Sequence, residues 1–208
     1  QGEAGIIVPP EGYLAKAQEL CRRHNVLFIL DEIQTGLART GKDFCFQYEI
    51  DKPDGLTLGK ALGGGVYPVS AFLARKDVMD VFDYGSHGST FGGNPIAAAI
   101  GLEALDLMVE ERYSLRSYKL GEYLRGKLEA LQSPLVREVR GKGLLIGMEI
   151  YTDKVSARSV CEDLKERGLL CKETHATTIR FAPPLVITKE QIDWAVGEVE
   201  AVLKNKSK

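Results

Sequence analysis

Val26-Leu27-Phe28-Ile29-Leu30 runs without a polar break into Asp31-Glu32. A continuous apolar run of this length suits a parallel strand covered on both faces, which needs no in–out alternation. The two acids end it abruptly. A helix is expected upstream, beginning near Pro10 with Glu11 in its first turn. Leu14, Ala17, Leu20 and Cys21 recur at helical spacing, Arg22, Arg23 and His24 crowd the last turn where the dipole favours cations, and Asn25 is the stop. A second strand, Gly55-Leu56-Thr57-Leu58, ends at Gly59-Lys60, and a third candidate runs from Val69 to Ala74 before a short helix over 76–82. Alternating strands and helices predict an α/β protein. Two or three parallel strands are few for a closed core, so this part reads as the second half of a larger, mostly parallel sheet.

From Gly85 to Pro95 glycine and serine dominate, which predicts a loop, and a long Ala/Leu helix begins near Pro95. That helix breaks around 110–114 and resumes to about Leu131. From Val136 the character changes to a smaller α+β unit: a strand, a Gly-Lys-Gly turn, a strand over 144–150, a helix over 156–167, short strands near Leu169 and Ile179, and a last helix from Lys189. The domain boundary is placed near Arg112, dividing 1–112 from 113–208.

The chain has 208 residues, 44% of them hydrophobic and 27% charged, with a net charge of -2. Lysine and arginine are spread along it, which argues against nucleic-acid and membrane-surface roles, since both call for a basic patch. Four cysteines lie scattered with no CxxC pair and no histidine at ligand spacing, so no metal site or disulfide framework is expected and a reducing compartment is. No stretch approaches the ~20 apolar residues of a membrane span. The first residues lack both an initiator methionine and the pattern of a signal peptide, and an upstream segment is expected.

One motif misleads. Gly36-Leu37-Ala38-Arg39-Thr40-Gly41-Lys42 has the spacing of a phosphate loop. The next position needs Ser or Thr for the metal, and Asp43 stands there instead. The acidic strand also precedes the loop, and no strand runs directly into Gly36. The reading fails on context.

Asp31 and Lys60 are a better pair. Each follows a buried strand at its C-terminal end, where open α/β sheets collect ligands. Taken singly, Asp31 reads as a cap or turn residue and Lys60 as a solvated surface lysine. Together they match pyridoxal phosphate, which takes a lysine for its Schiff base and a carboxylate for its ring nitrogen. The glycines 63–65 allow backbone to approach a cofactor closely.

Four segments carry a more specific likeness: LDEIQTGLARTG (30–41), LGKALGGGVYPVSA (58–71), GSHGSTFGGNP (85–95) and IRFAPPLVI (179–187). In order and spacing they resemble the motifs of the ornithine aminotransferases, in subgroup II of the fold type I aminotransferases. The resemblance implies the carboxy-terminal part of a large pyridoxal 5'-phosphate-binding domain over 1–112, a small C-terminal domain over 113–208, and a homodimer with shared active sites. It makes Lys60 the Schiff-base lysine, Asp31 the partner of the pyridine nitrogen and Gln34 the residue at the ring's phenolic oxygen. Ser89 and Thr90 are similar to the residues that reach the phosphate of the neighbouring subunit's cofactor; a helix cap before Pro95 is the plain alternative. Arg180 resembles the arginine for the α-carboxylate of glutamate or 2-oxoglutarate, a role that suits a bidentate guanidinium. Glu3 resembles its switch partner, pairing with the arginine while ornithine reacts. A terminal surface glutamate and a strand arginine are the alternatives there. His87 and His175 are left without a role, since Lys60 itself can shuttle the proton.

The implied activity is ping-pong transamination of ornithine and 2-oxoglutarate to glutamate 5-semialdehyde and glutamate, within arginine metabolism and proline biosynthesis. Acetylornithine and 4-aminobutyrate aminotransferases are the alternatives within the family. Outside it stands a non-catalytic structural fragment, because the glycine loop at the cofactor phosphate and the ring-stacking aromatic are expected upstream. The compartment expected is the cytoplasm, or the mitochondrial matrix if a transit segment lies upstream.

Overall fold

The computed structural model describes residues 1–207. Two compact units divide the chain. One gathers Gln1–Val8, Ala38–Gly41 and the residues from Tyr113 onward; the other holds Pro9–Leu37 and Lys42–Arg112. Two short early segments, 1–8 and 38–41, group with the later residues, and two half-buried arginines hold them there. The Arg140 guanidinium donates to the carbonyls of Gly5 (2.6 Å) and Ile6 (3.1 Å). Arg39 donates to the carbonyls of Pro183 (2.6 Å) and Leu144 (3.1 Å), while its own carbonyl accepts from Ser117 Oγ at 3.0 Å and the Leu144 N–H at 3.1 Å. Backbone groups taken out of water need such partners.

The unit containing Asp31 has α1 (Tyr13–Arg23), β1 (Ile29–Asp31), β2 (Gly55–Leu58), β3 (Ala71–Ala74), α2 (Lys76–Met79) and α3 (Pro95–Glu110). Its sheet has the order β1-β2-β3. β1 pairs with β2 in parallel, Ile29 opposite Gly55 and Asp31 opposite Thr57. β3 pairs with β2 antiparallel, which corrects the expectation of a third parallel strand. The connection over 59–70 holds no α-helix, and parallel strands normally need a helical crossover. β1 is shorter than the apolar run, and with β2 as its one neighbour in this chain Val26, Leu27 and Ile29 are about half exposed. Asn94 caps α3, its Oδ1 accepting from the Ala97 N–H at 2.9 Å, and Pro95 fills the first helical position, where no N–H is needed.

The other unit contains α4 (Tyr113–Glu129), β4 (Val136–Lys142), β5 (Leu145–Ile150), α5 (Ala157–Glu166), β6 (Lys172–Thr174), β7 (Thr178–Phe181) and α6 (Lys189–Lys206). Its four strands are antiparallel in the order β4-β5-β7-β6. Ile146 and Met148 of β5 and Ile179 of β7 are fully buried against Leu128 of α4, Val160 and Leu164 of α5, and Ile192 and Val199 of α6. Each such side chain contributes about 1.5–3 kcal/mol relative to exposure. Ser156 caps α5, and Thr188 with Gln191 forms a capping box on α6. Gly147 has no room for a side chain: a Cβ there would lie 2.9 Å from Ile6 and from Thr178.

Candidate active site

Parallel pairing brings the C-terminal ends of β1 and β2 to one edge, and both residues of the predicted pair stand on it. Asp31 closes β1 opposite Thr57, and the Glu32 N–H extends the ladder to the Thr57 carbonyl at 3.0 Å. Just past β2, Lys60 opens a 3-10 turn, Lys60–Gly63. Gly59 packs closely there: a Cβ would sit 3.3 Å from Ile33 Cγ2, so that side chain would have to shift. The segment after Asp31 therefore packs against the residue before Lys60. Behind the turn lies α3: Leu62 is buried, and Cβ atoms on Gly101 and Gly64 would each come within 3.8 Å of Leu62 and Ile100 respectively. Lys60 has φ +46, the left-handed region that L-residues normally avoid. Strain of this kind concentrates at functional positions.

Asp31 Oδ1 accepts from the Ile33 N–H at 2.9 Å, which orients the carboxylate. Its Oδ2 and the Lys60 ammonium have no partner among the described residues, and both residues are exposed. A directed carboxylate oxygen and an unpaired amine on one edge, beside a turn with Gly64 and Gly65 at positive φ, fit pyridoxal phosphate in the types of group that it needs. Gln34, half-buried, follows in the same turn as Ile33.

Sequence reasoning missed Glu32. It is buried, and its carboxylate accepts from the N–H groups of Cys45 (2.8 Å) and Phe46 (2.7 Å) and from Thr35 Oγ (3.1 Å). It thereby ties the chain after β1 to the 3-10 turn Cys45–Tyr48. Burial pushes its carboxyl above the ordinary value, against the pull of those hydrogen bonds. The one available signal was the second acid after the apolar run. The phosphate-loop mimic is no cradle: Leu37 and Ala38 are buried at positive φ, Thr40 is buried, and no α-helix begins at Gly41.

Ser89 and Thr90 lie exposed on the loop before α3, apart in sequence from the Asp31–Lys60 edge. Ser89 Oγ accepts from the Gly92 N–H at 3.1 Å, so the hydroxyl keeps its proton to donate. With Tyr67, Ser70, Phe91 and Asn94, Ser89 lines an open cavity of about 400 Å³. His87 is exposed with its ring edge-on to Phe82, and His175 sits in the β6–β7 turn.

In the other unit, Arg180 and Glu3 form an ion pair through Nη1 and Oε1. Arg180 is half-buried on β7, opposite Gly147 of β5 and Lys172 of β6. Arg140 holds the neighbouring Gly5 and Ile6 carbonyls and so fixes the approach of Glu3. Among the described residues, no three His, Cys, Asp or Glu side chains gather as a metal site, and no helix is long and apolar enough to cross a membrane.

The family model for class-III aminotransferases matches residues 1–203. An ornithine aminotransferase of Bacillus subtilis is 55% identical over 205 residues, 99% of this chain and 50% of that protein. Among solved structures, an ornithine aminotransferase of Toxoplasma gondii, described with partial occupancy of PLP at its active site, superposes with a TM-score of 0.96 at 44% identity, covering all of this chain and 51% of that one. An acetylornithine aminotransferase of Elizabethkingia anophelis gives 0.92 at 50% identity, covering 99% and 55%. The chain spans about half the length of the curated relatives it matches. With its four motifs, its α/β fold and a family model matched from the first residue to 203, the chain belongs to the class-III aminotransferases.

Proposed function

We propose that this chain is part of an ornithine δ-aminotransferase, which moves the δ-amino group of ornithine to 2-oxoglutarate and forms glutamate 5-semialdehyde and glutamate. The observation that carries the reading is the shared edge of β1 and β2, with Lys60 strained and unpaired beside a directed Asp31. Kinship to ornithine aminotransferases at 55% identity supports the substrate. Pyridoxal phosphate, when bound, supplies an electron sink for the substrate carbon. Lys60 would hold the cofactor through its amine and, as a free amine, would move the proton at that carbon. Asp31 would keep the ring nitrogen protonated, and Gln34 would donate to the phenolic oxygen. Ser89 and Thr90 would donate to the phosphate of the neighbouring subunit's cofactor, in a homodimer. Arg180 grips the α-carboxylate of the dicarboxylate substrate, and Glu3 occupies Arg180 while ornithine reacts. On this reading, residues 1–112 belong to the large cofactor-binding domain and 113–208 form the small one. The compartment is the cytoplasm, a choice that the four unbridged cysteines support.

Lys60→Ala in the full-length protein is expected to abolish both covalent retention of the cofactor and turnover of ornithine. Normal activity in that variant ends the assignment. A second reading, acetylornithine aminotransferase, has the support of the 50% identical Elizabethkingia protein. Turnover of ornithine, N-acetylornithine and 4-aminobutyrate by the same preparation separates the readings; preference for the acetylated amine would replace the first with the second.

A further inference from the structure

Glu3 has two cations, and the proposed switch uses only one of them. Its Oε1 meets Arg180 Nη1, while its Oε2 lies 3.7 Å from Lys172 Nζ. Lys172 and Arg180 are directly opposite each other on the antiparallel strands β6 and β7. Like charges in that register repel, and a carboxylate shared between them, one oxygen to each, removes the conflict. The two cations differ in setting. The Arg180 side chain is 19% exposed, whereas those of Lys172 and Glu3 are 63% and 66% exposed.

We infer that Lys172 is a positioning residue that retains Glu3 when a dicarboxylate substrate takes Arg180. The inference rests on the proposed roles of Glu3 and Arg180 and adds the partner to which Glu3 retreats. A Glu3 carboxylate that stayed beside Arg180 would repel the incoming carboxylate. With Lys172 already in reach, a small rotation keeps Glu3 ion-paired and moves its charge off Arg180. Lys172 thus favours the state that accepts 2-oxoglutarate and leaves the ornithine-accepting state, in which Arg180 itself holds Glu3, almost unaffected. Arginine in place of Lys172 would preserve the function; an apolar side chain of similar length would not.

The test is a set of half-reaction kinetics on the full-length enzyme. Lys172→Met is expected to raise the KM for 2-oxoglutarate about two- to fivefold, the range of an exposed ion pair, with kcat and the ornithine half-reaction unchanged. Lys172→Arg restores the wild-type KM. The ratio of mutant to wild-type KM shrinks towards one in ~1 M salt, where the screening length falls to ~3 Å. In a Glu3→Gln background, Lys172→Met has no further effect. An unchanged KM, an equal loss in both half-reactions, or a loss that persists with Glu3→Gln would overturn the inference; the last would mean that Lys172 touches substrate itself. Wild-type enzyme that fails to exchange ornithine with 2-oxoglutarate would instead overturn the functional reading, and this inference with it. The two failures are distinguished before any variant is made.

Discussion

β5 and β1 are both strongly apolar in sequence, and they end in opposite surroundings. β5 lies between β4 and β7 and is buried along nearly its whole length. β1 has β2 on one side only, and Ile29 at its start is 49% exposed. The difference separates two ways of holding functional groups. In the unit with β5, a closed core fixes the strands, and Arg180 is aimed by its register between Gly147 and Lys172. In the unit with β1, Asp31 and Lys60 are aimed by a ladder, a glycine contact and one buried carboxylate, with little burial of their own. Within this chain the second site is held by those few named contacts, each open to a single substitution.

The contrast can be broken most directly at Gly121. A Cβ on this α4 residue would lie 2.1 Å from the Gly143 carbonyl oxygen, and Gly143, at φ +52, is itself closely packed against the backbone of Thr40 and Gly41. Neither backbone has room to yield. Gly121→Ala is expected to destabilise this unit by about 3 kcal/mol or more, read as a lower urea midpoint. A wild-type midpoint would show that the core is looser than described.

Glu32→Gln probes the open unit. The amide offers one acceptor oxygen where the carboxylate offers two, so a backbone N–H of Cys45 or Phe46 is left facing an NH₂ group. The expected cost is about 1–3 kcal/mol, measured by chemical denaturation. The sign of the pH dependence follows from the raised carboxyl. The folded form keeps its proton above the ordinary value of 4.5, so this group's contribution is full below that value and is lost as pH rises through the raised one. Glu32→Gln should flatten that slope; an unaltered slope would place its origin elsewhere.

The smallest effect has the opposite direction. Ala176 sits at φ +60 in the turn between β6 and β7. Left-handed backbone costs an L-residue about 1–2 kcal/mol, and glycine avoids this at some cost in unfolded-state entropy. Ala176→Gly should therefore stabilise the unit by about 0.5–1 kcal/mol, seen as a higher Tm. A lower Tm would mean that the alanine methyl packs usefully despite the strain.

What could be read without coordinates was local. The bounds of β2, the stops of α1 and α3, and the starts of α5 and α6 follow from periodicity, glycine, proline and capping residues within a few positions of each end. Asp31 and Lys60 were legible for the same reason, because an apolar run that stops at a charged residue marks a strand end. The four motifs carried the family. Tertiary structure alone decided the antiparallel direction of β3, the ties from Arg39 and Arg140 that draw residues 38–41 and 1–8 to the later unit, and the placement of Lys172 beside Glu3. Those outcomes depend on partners more than a hundred residues away, or on which strands happen to be neighbours. A local pattern specifies what a segment tends to become, but its hydrogen-bond and ion partners are chosen by whatever the folded chain brings within reach.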